Sequence, residues 1–523
     1  MSSNTIRYDG SAQNTAATTT SELTGFRLAA VIFILAMANF LAILDTTVAN
    51  VLVSHIAGSL AVSTSSGTWV ITGYSVAEAI MVPLTGWLAI RFGPVKVFAF
   101  GIFGFGLFSL LCGMATSLNM LIAFRILLGM AGGPLMPLSQ TLLLKIVPKR
   151  FATPAMAVWS MTTVLAPIAG PVLGGWLGDN WGWQWAFYVK VPFALALGFL
   201  AWRMLRPYEA PIEKGEMDFS GLALLILWVG ALQIVLGIGQ DEDWFNSTTI
   251  IALSIFSAVS FGMFLIWEGT DKSPVVNLSI FANRSFSVSL IVIFLAFGAV
   301  FSSMVLTPMW LQGAMGYTAT WAGYNSAFSG VLAVAAAPAA AILMTKIDHR
   351  LIIMTGLVIG AASVLMRIGF TDQLNFWQLA VPQLLQGLCL PLVMIPLMDM
   401  SVSSLAPKDI AAGAGQFNFV RTLATAFSTA IVTALWQDAM KAKRDALVGS
   451  MDTPSVLGQM VAHGAAPEQA RYTLDGLVQG QAVQLATNYT FLLIGITMLI
   501  AAAAVWLAPR PRVAGSGGHG GMH

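Results

Sequence analysis

Three acids and four bases of this chain fall within or at the edges of apolar runs, and they are the side chains able to do chemistry there. The acids are Asp45, Glu78 and Asp399; the bases are Arg125, Lys190, Arg367 and Arg421. Asp45 lies in AMANFLAILDTTVAN, inside an apolar run from Leu28 to Val53 that is long enough to cross a bilayer. A carboxylate at membrane depth costs roughly 2.5–3.5 kcal/mol even on lenient insertion scales, so it faces a watery cavity or a partner charge. It stands eight residues before Val53, ~12 Å at 1.5 Å per residue, too deep for a simple helix cap. The plainer reading is a packing acid near the outer end. Burial raises a carboxyl's proton affinity and a nearby cation lowers it, so a carboxyl in a cavity that fills and empties can load and release a proton. Asp45 is the first such group. The nearly isosteric Asp45→Asn is expected to stop proton-driven work and leave folding intact.

Glu78, in YSVAEAIMVP, is five residues before Pro83 and deep enough for the same chemistry, against a purely structural pairing with a membrane cation. Asp399 follows Pro396 near a cytoplasmic end, where a helix-end acid is the plainer account. Arg125 lies a few residues in from the outer side with Gly129 one turn on, positioned to ion-pair with an intramembrane acid. Arg421, mid-span in FNFVRTLATAF, reads as a coupling or substrate-contact residue. Lys190 and Arg367 are near enough to span ends to snorkel to the interface. The polar side chains Asn39, Gln140, Gln312, Asn325, Gln383, Gln386 and Asn418 suit a substrate cavity. Taken singly, each equally fits an interhelical hydrogen bond, which in membranes averages only ~0.6 kcal/mol. Some of the 26 methionines could line such a cavity, since Met repacks easily around varied apolar shapes.

The elements that position these groups are membrane helices. The chain has 523 residues, 57% hydrophobic and 9% charged, where ~25% charged is ordinary for a soluble domain. This composition excludes a soluble core. A net charge of +2 gives no footing for nucleic acid. Cys112 and Cys389 sit far apart in apolar runs and read as small core residues, not as a disulfide or metal pair. Residues 1–26 are polar and lack a signal peptide's basic start, apolar core and cleavage site, so the first span is expected to stay.

Hydropathy gives fourteen spans: about 28–53, 69–90, 96–116, 120–144, 153–177, 185–205, 219–239, 248–267, 286–312, 320–345, 351–370, 376–400, 411–436 and 485–507. Seventeen of the 25 basic residues occupy the N-terminus, the C-terminal tail and alternate loops. The opposite short loops hold none, and one carries Asp241-Glu242-Asp243. By the positive-inside rule both termini are cytoplasmic. A weak repeat relates the halves. Pro83 precedes Arg91 by eight residues, as Pro338 precedes Lys346, and RILLGMAGGPLMP (125–137) echoes QLLQGLCLPLVMIP (383–396). The second and fourth spans thus match the tenth and twelfth, as for two six-helix bundles with two extra helices between them. Such parallel repeats put a site near mid-membrane, between the halves. The expected division is a polar cytoplasmic segment (1–27), an N-terminal bundle (28–206), two linker helices (207–284), a C-terminal bundle (285–508) with a long periplasmic loop at 437–484, and a Gly-rich cytoplasmic tail (509–523).

These stretches together resemble the major facilitator superfamily, specifically its fourteen-span drug:proton antiporter branch, over residues 28 to 507. LDTTVAN is similar to that branch's first-span acidic motif, with Asp45 as its acid. GWLAIRFGPVKVF (86–98) resembles the cytoplasmic loop motif, which implies a gate role for Gly86, Arg91, Gly93 and Lys96. RILLGMAGGP (125–134) resembles the fourth-span motif and implies a coupling role for Arg125. GPVLGG in the fifth span resembles the antiporter signature; Gly170, Pro171, Gly174 and Gly175 would give a close, bent helix seam. LQGAMGYTATWAG (311–323) and FNFVRTLATAF (417–427) also fit. There are departures: Ile90 stands where the loop motif carries an acid, Leu128 where a Gln is common, Glu78 and Asp399 where no acid is expected, and Lys190 where a neutral amide is commoner.

The resemblance implies an all-α membrane protein with the major facilitator fold. It implies a proton-coupled exporter of amphipathic drugs or toxic metabolites working by alternating access, driven by the proton gradient with no cofactor. The likeness to EmrB-type inner-membrane pumps of Gram-negative tripartite systems implies further partners: a periplasmic membrane-fusion adaptor, beside the 437–484 connection, and a TolC-type outer-membrane channel. In that connection MKAKRDALV and EQARYTLDGLVQGQAVQ read as helix, with a solvated loop as the alternative. Within transporters the other reading is export of one endogenous metabolite, organic acid or lipid. From another class, a membrane-embedded enzyme would need a nucleotide loop, metal cluster or nucleophile elbow, and no such motif is read here. His519 and His523 in the tail are too few to argue a metal site.

Overall fold

The computed structural model describes residues 25–209, 218–271, 276, 278–370, 374–406, 409–463 and 466–509. Most of the polar N-terminal segment and nearly all of the Gly-rich tail, with its two histidines, lie outside the described residues. Among the described residues thirteen helices are long and apolar enough to cross a membrane, and a shorter apolar helix, His349–Leu365, occupies the eleventh position. In chain order they are α1 (Gly25–Ser59), α2 (Trp69–Phe92), α3 (Pro94–Gly113), α4 (Leu118–Ile146), α5 (Lys149–Asn180), α6 (Trp185–Tyr208) and α7 (Phe219–Ile238). There follow α8 (Thr248–Thr270), α9 (Arg284–Gly313), α10 (Ala319–Met344), α11 (His349–Leu365), α12 (Phe376–Val402), α13 (Ile410–Ser450) and α14 (Pro467–Ala504).

Local chemistry sets the ends. Ser117, Asn283 and Asp348 accept hydrogen bonds from first-turn amides of α4, α9 and α11, and Asn375 with Gln378 makes a full capping box on α12. Gly93, at φ +94°, takes the backbone turn that separates α2 from α3. The Gly132-Gly133-Pro134 run divides α4 into two helical segments, Leu118–Gly132 and Leu135–Ile146.

The repeat glimpsed in the sequence is a packing repeat. In the N-terminal half α1 packs on α5, α2 on α4 and α3 on α6; in the C-terminal half α9 packs on α13, α10 on α12 and α11 on α14. Each half buries its own apolar core. The halves meet along two lines, α5 against α10 and α2 against α13. The linker helix α7 lies on both α2 and α13, with Trp228 edge-on to Phe419 of α13 at 5.9 Å between ring centres, and α8 packs outside it.

The 437–484 connection differs from the expected loop: it is the continuation of two spans. At 41 and 38 residues, α13 and α14 run ~60 Å, about twice the hydrocarbon thickness. They stay paired beyond the membrane, with Arg444 donating to Asp475 at 2.7 Å and a short helix, Thr453–Ala462, at the turn. Alternating apolar and charged residues hid this in hydropathy, because a solvated helical pair needs only one apolar stripe per helix.

Close helix approach depends on glycine. A Cβ on Gly387 of α12 would land on the Ser329 carbonyl oxygen of α10, backbone that cannot give way cheaply. Gly387→Ala is expected to lower stability by about 1–3 kcal/mol through overpacking, read as a drop in thermal denaturation midpoint in detergent. Gly262→Ala on α8, where open space surrounds the new methyl, should leave the midpoint unchanged.

Candidate functional site: buried charges within and between two helical halves

The N-terminal half is built around Asp45. One carboxylate oxygen accepts from Arg125 of α4 and the other from Lys190 of α6, and all three side chains are shut away from solvent. Arg125 also donates through Nε to the Val70 carbonyl of α2 at 3.0 Å and lies 4.4 Å above the Tyr74 ring. Phe187 faces Lys190 at 4.8 Å. One acid therefore joins α1, α2, α4 and α6. This corrects the snorkelling expected of Lys190: in the second turn of α6, it turns inward because a carboxylate is there. It also places Asp45 within one half and away from the seam between halves. The alternative that the sequence left open for such an acid, a partner charge, is the one realised.

The C-terminal half carries a related cluster without an acid. Arg367, which follows α11, is 2% exposed. It donates to Ser303 at 2.7 Å and Thr307 at 3.0 Å on α9, and to Gln386 of α12 at 2.5 Å, beside the Phe491 ring of α14. Snorkelling fails here too. Three neutral oxygens solvate the guanidinium as water would, which makes inward burial tolerable.

Between the halves lies a third group. Asn418 of α13 donates to Gln140 of α4 at 2.9 Å. One turn along α13, Arg421 points its guanidinium at the Met136 sulfur of α4 and lies 5.4 Å from the Phe297 ring of α9. Glu78 of α2 is half-buried and within electrostatic range of Arg421 across the seam. Asn39 joins α1 to α5 through Thr162 and Thr163 at 3.0 and 2.9 Å. Gln383 is buried, and Asn325 is buried with neither amide atom hydrogen-bonded.

Other expected residues stand apart. Asp399 is exposed at the cytoplasmic end of α12 and pairs with His349 at 3.1 Å, the helix-end account, far from a coupling site. Gln312 is exposed at the outer end of α9 and donates to its own helix at the Pro308 carbonyl, so it lines no cavity. Of the gate residues, Gly86 and Arg91 are exposed. The amides of Val95 and Lys96 both donate to Glu209 at 3.1 Å, and a Cβ on Gly93 would strike that carboxylate. Glu209 thus supplies a negative charge to this turn, where Ile90 cannot. In α5, Gly170 and Gly174 admit Thr47 and Val48 of α1, Gly175 is buried, and the Pro171 backbone packs against Gly323 of α10. At the outer ends, Asp179 of α5 accepts from Thr320 of α10 at 2.9 Å and pairs with His55 of α1 at 3.2 Å. Sequence reading missed Lys190, Arg367, Glu209, Met136 and Asp179 as partners; Lys190 and Arg367 carried a signal, a full charge within or at the edge of an apolar run.

Comparison with known proteins follows the same lines. A model of the Major Facilitator Superfamily matches residues 35–429. The chain belongs to that superfamily. It is 38% identical to the multidrug export protein EmrB of Escherichia coli (strain K12), over 96% of this chain and 99% of that one. It is 37% identical to the fatty acid resistance protein FarB of Neisseria gonorrhoeae, over 95% and 99%. Among solved structures, a bacterial homolog of the human lysosomal transporter Spinster, inward-facing and unoccupied, superposes with a TM-score of 0.57 at 13% identity, covering 94% of this chain and all of that one. That likeness concerns the fold alone. As a major facilitator protein the chain is a multi-pass membrane transporter.

The Asp45 geometry reverses one expectation. Asp45→Asn leaves Arg125 and Lys190 buried without a counter-charge, and breaking such a pair costs about 3–5 kcal/mol. Asp45→Asn is expected to lower the thermal midpoint in detergent markedly, and Asp45→Asn with Lys190→Met to recover part of the loss. Equal midpoints for wild type and Asp45→Asn would contradict the double ion pair.

Proposed function

We propose that this major facilitator protein is a proton-coupled exporter of amphipathic hydrophobic compounds in a bacterial inner membrane, working by alternating access. The observation that carries the reading is the polar seam between the halves within the membrane. Gln140, Asn418 and Arg421 lie there between two separately cored halves, beside Met136 and Phe297, with Glu78 within electrostatic range of Arg421. Ionisable groups in such a seam exchange protons as it opens; thioether and ring surface accepts varied apolar shapes. Hydrogen bonds hold the halves together on both sides of the membrane, Asn418–Gln140 in the cytoplasmic half and Thr320–Asp179 at the outer ends. Rocking would break one while keeping the other. The energy comes from the proton gradient, with protons entering from outside as cargo leaves, and no cofactor takes part.

The similarity to EmrB supports multidrug compounds as cargo, drawn from the cytoplasm or inner leaflet. It also supports a place in a tripartite pump with a periplasmic membrane-fusion adaptor and a TolC-type channel. The paired extensions of α13 and α14 give an adaptor a surface outside the bilayer. A second reading, export of one organic acid or lipid, is favoured by the likeness to FarB and by charge. At membrane depth Arg125, Lys190, Arg367 and Arg421 outnumber Asp45 and Glu78, which leaves the interior positive and hospitable to anionic head groups.

Everted membrane vesicles containing the protein test the reading. An imposed proton gradient, acid inside, should drive accumulation of a fluorescent hydrophobic drug, and nigericin, which collapses the gradient, should release it. Accumulation indifferent to the gradient would refute proton coupling. A parallel assay with a labelled long-chain fatty acid separates the two cargo readings.

A further inference from the structure

Two carboxylates at membrane depth can carry the transported proton, and their surroundings differ. Asp45 has each oxygen on a cation, and every helix that contributes to its cluster belongs to the N-terminal half. A proton reaching it must first break an ion pair. Rocking of one half against the other leaves its neighbours in place. Asp45 is thereby isolated from the motion it would have to sense.

Glu78 is the opposite case. It lies on α2, which with α4 and α5 carries the contacts of the N-terminal half with the C-terminal half. It is half-buried, and no ion pair or hydrogen bond occupies its carboxylate among the described residues. Arg421, within electrostatic range of it, rides on α13 of the other half, which packs against α2. Arg421 is 5% exposed, and its own contacts are a thioether and an aromatic face, neither of which neutralises it. The remaining ionisable groups near Glu78 lie behind it in its own half: Tyr74 one turn back on α2, Arg125 on α4 and Asp45 on α1. The packed linker helix α7 brings no ionisable side chain.

We propose that Glu78 is the proton-exchange site and that Arg421 is the moving counter-charge that sets when it releases its proton, with Asp45 a positioning residue that holds the N-terminal half together. This rests on the proton-coupled export reading above. When the seam parts at Glu78, the attraction to Arg421 falls as the reciprocal of their separation, and the carboxylate takes a proton from the open side. When the seam closes, Arg421 approaches, the carboxylate returns to its charged form, and the proton leaves to the other side. One proton is bound and one released per cycle, with no other group changing state.

The test uses the full chain in detergent and in proteoliposomes, with a hydrophobic drug that the wild type exports as the probe. Wild type is expected to release protons when the drug is added to solubilised protein, and to drive uphill transport under a pH gradient. Glu78→Gln should lose both while keeping the wild-type thermal denaturation midpoint in detergent, which shows that the variant is folded. Glu78→Asp, with the carboxylate restored, should regain proton release. Proton release by Glu78→Gln equal to wild type would overturn the assignment while leaving proton-coupled export standing. Absence of proton release and of gradient-driven transport from wild type itself would overturn the export reading, and this assignment with it.

Discussion

The interaction on which the structure depends is the double ion pair of Asp45 with Arg125 and Lys190. Three charges inside hydrocarbon are tolerable only together, since each left alone would bear a desolvation penalty of several kcal/mol. That penalty is what fixes the arrangement. Asp45 cannot turn to lipid, Lys190 cannot rise to the interface, and Arg125 cannot leave the Val70 carbonyl without stranding a charge. Helices α1, α2, α4 and α6 are thus bound by a contact that small displacements would disrupt. The apolar core around it supplies area, but area in lipid is non-specific; the ion pairs supply register.

The C-terminal half reaches a similar end by other chemistry. Arg367 is solvated by Ser303, Thr307 and Gln386 in place of an acid, across helices that correspond in packing order to those of the N-terminal cluster. Each half therefore has a polar centre of its own, and neither centre crosses to the other half. What does cross among the described residues is weaker: two neutral or singly charged hydrogen bonds, Asn418–Gln140 and Thr320–Asp179, the contact of Arg421 with the Met136 sulfur, and the longer-range attraction of Glu78 for Arg421. Strong contacts within halves and weak ones between them are the mechanical condition for two bodies that rock.

Most of the architecture was legible in the sequence because membrane constraints are severe. Every backbone amide in hydrocarbon must bond within its own helix, so apolar run length counts helices, and the loop positions of Lys and Arg orient them. The repeat about Pro83 and Pro338 pointed to the matching of α2 with α10. What hydropathy lacks is direction around the helix. Lys190 at a span edge looks free to snorkel, and its partner lies 145 residues earlier, unreachable by local pattern. Arg367 was misread for the same reason. Gln312 and Gln386 are both glutamines in apolar runs, yet one is exposed and the other holds a buried cation. The helical extensions of α13 and α14 were half legible, since helix-forming stretches stood out but their continuity with the spans did not.

The central claim is that the halves move as bodies while the Asp45 cluster stays fixed. Double electron–electron resonance tests it directly, with one spin-label pair across the seam on the outer ends of α5 and α10 and another within the N-terminal half on α3 and α6. The account predicts that acidification and drug addition shift the α5–α10 distances and leave the α3–α6 distances unchanged. A constant seam distance, or a shift confined to the pair within the half, would contradict it.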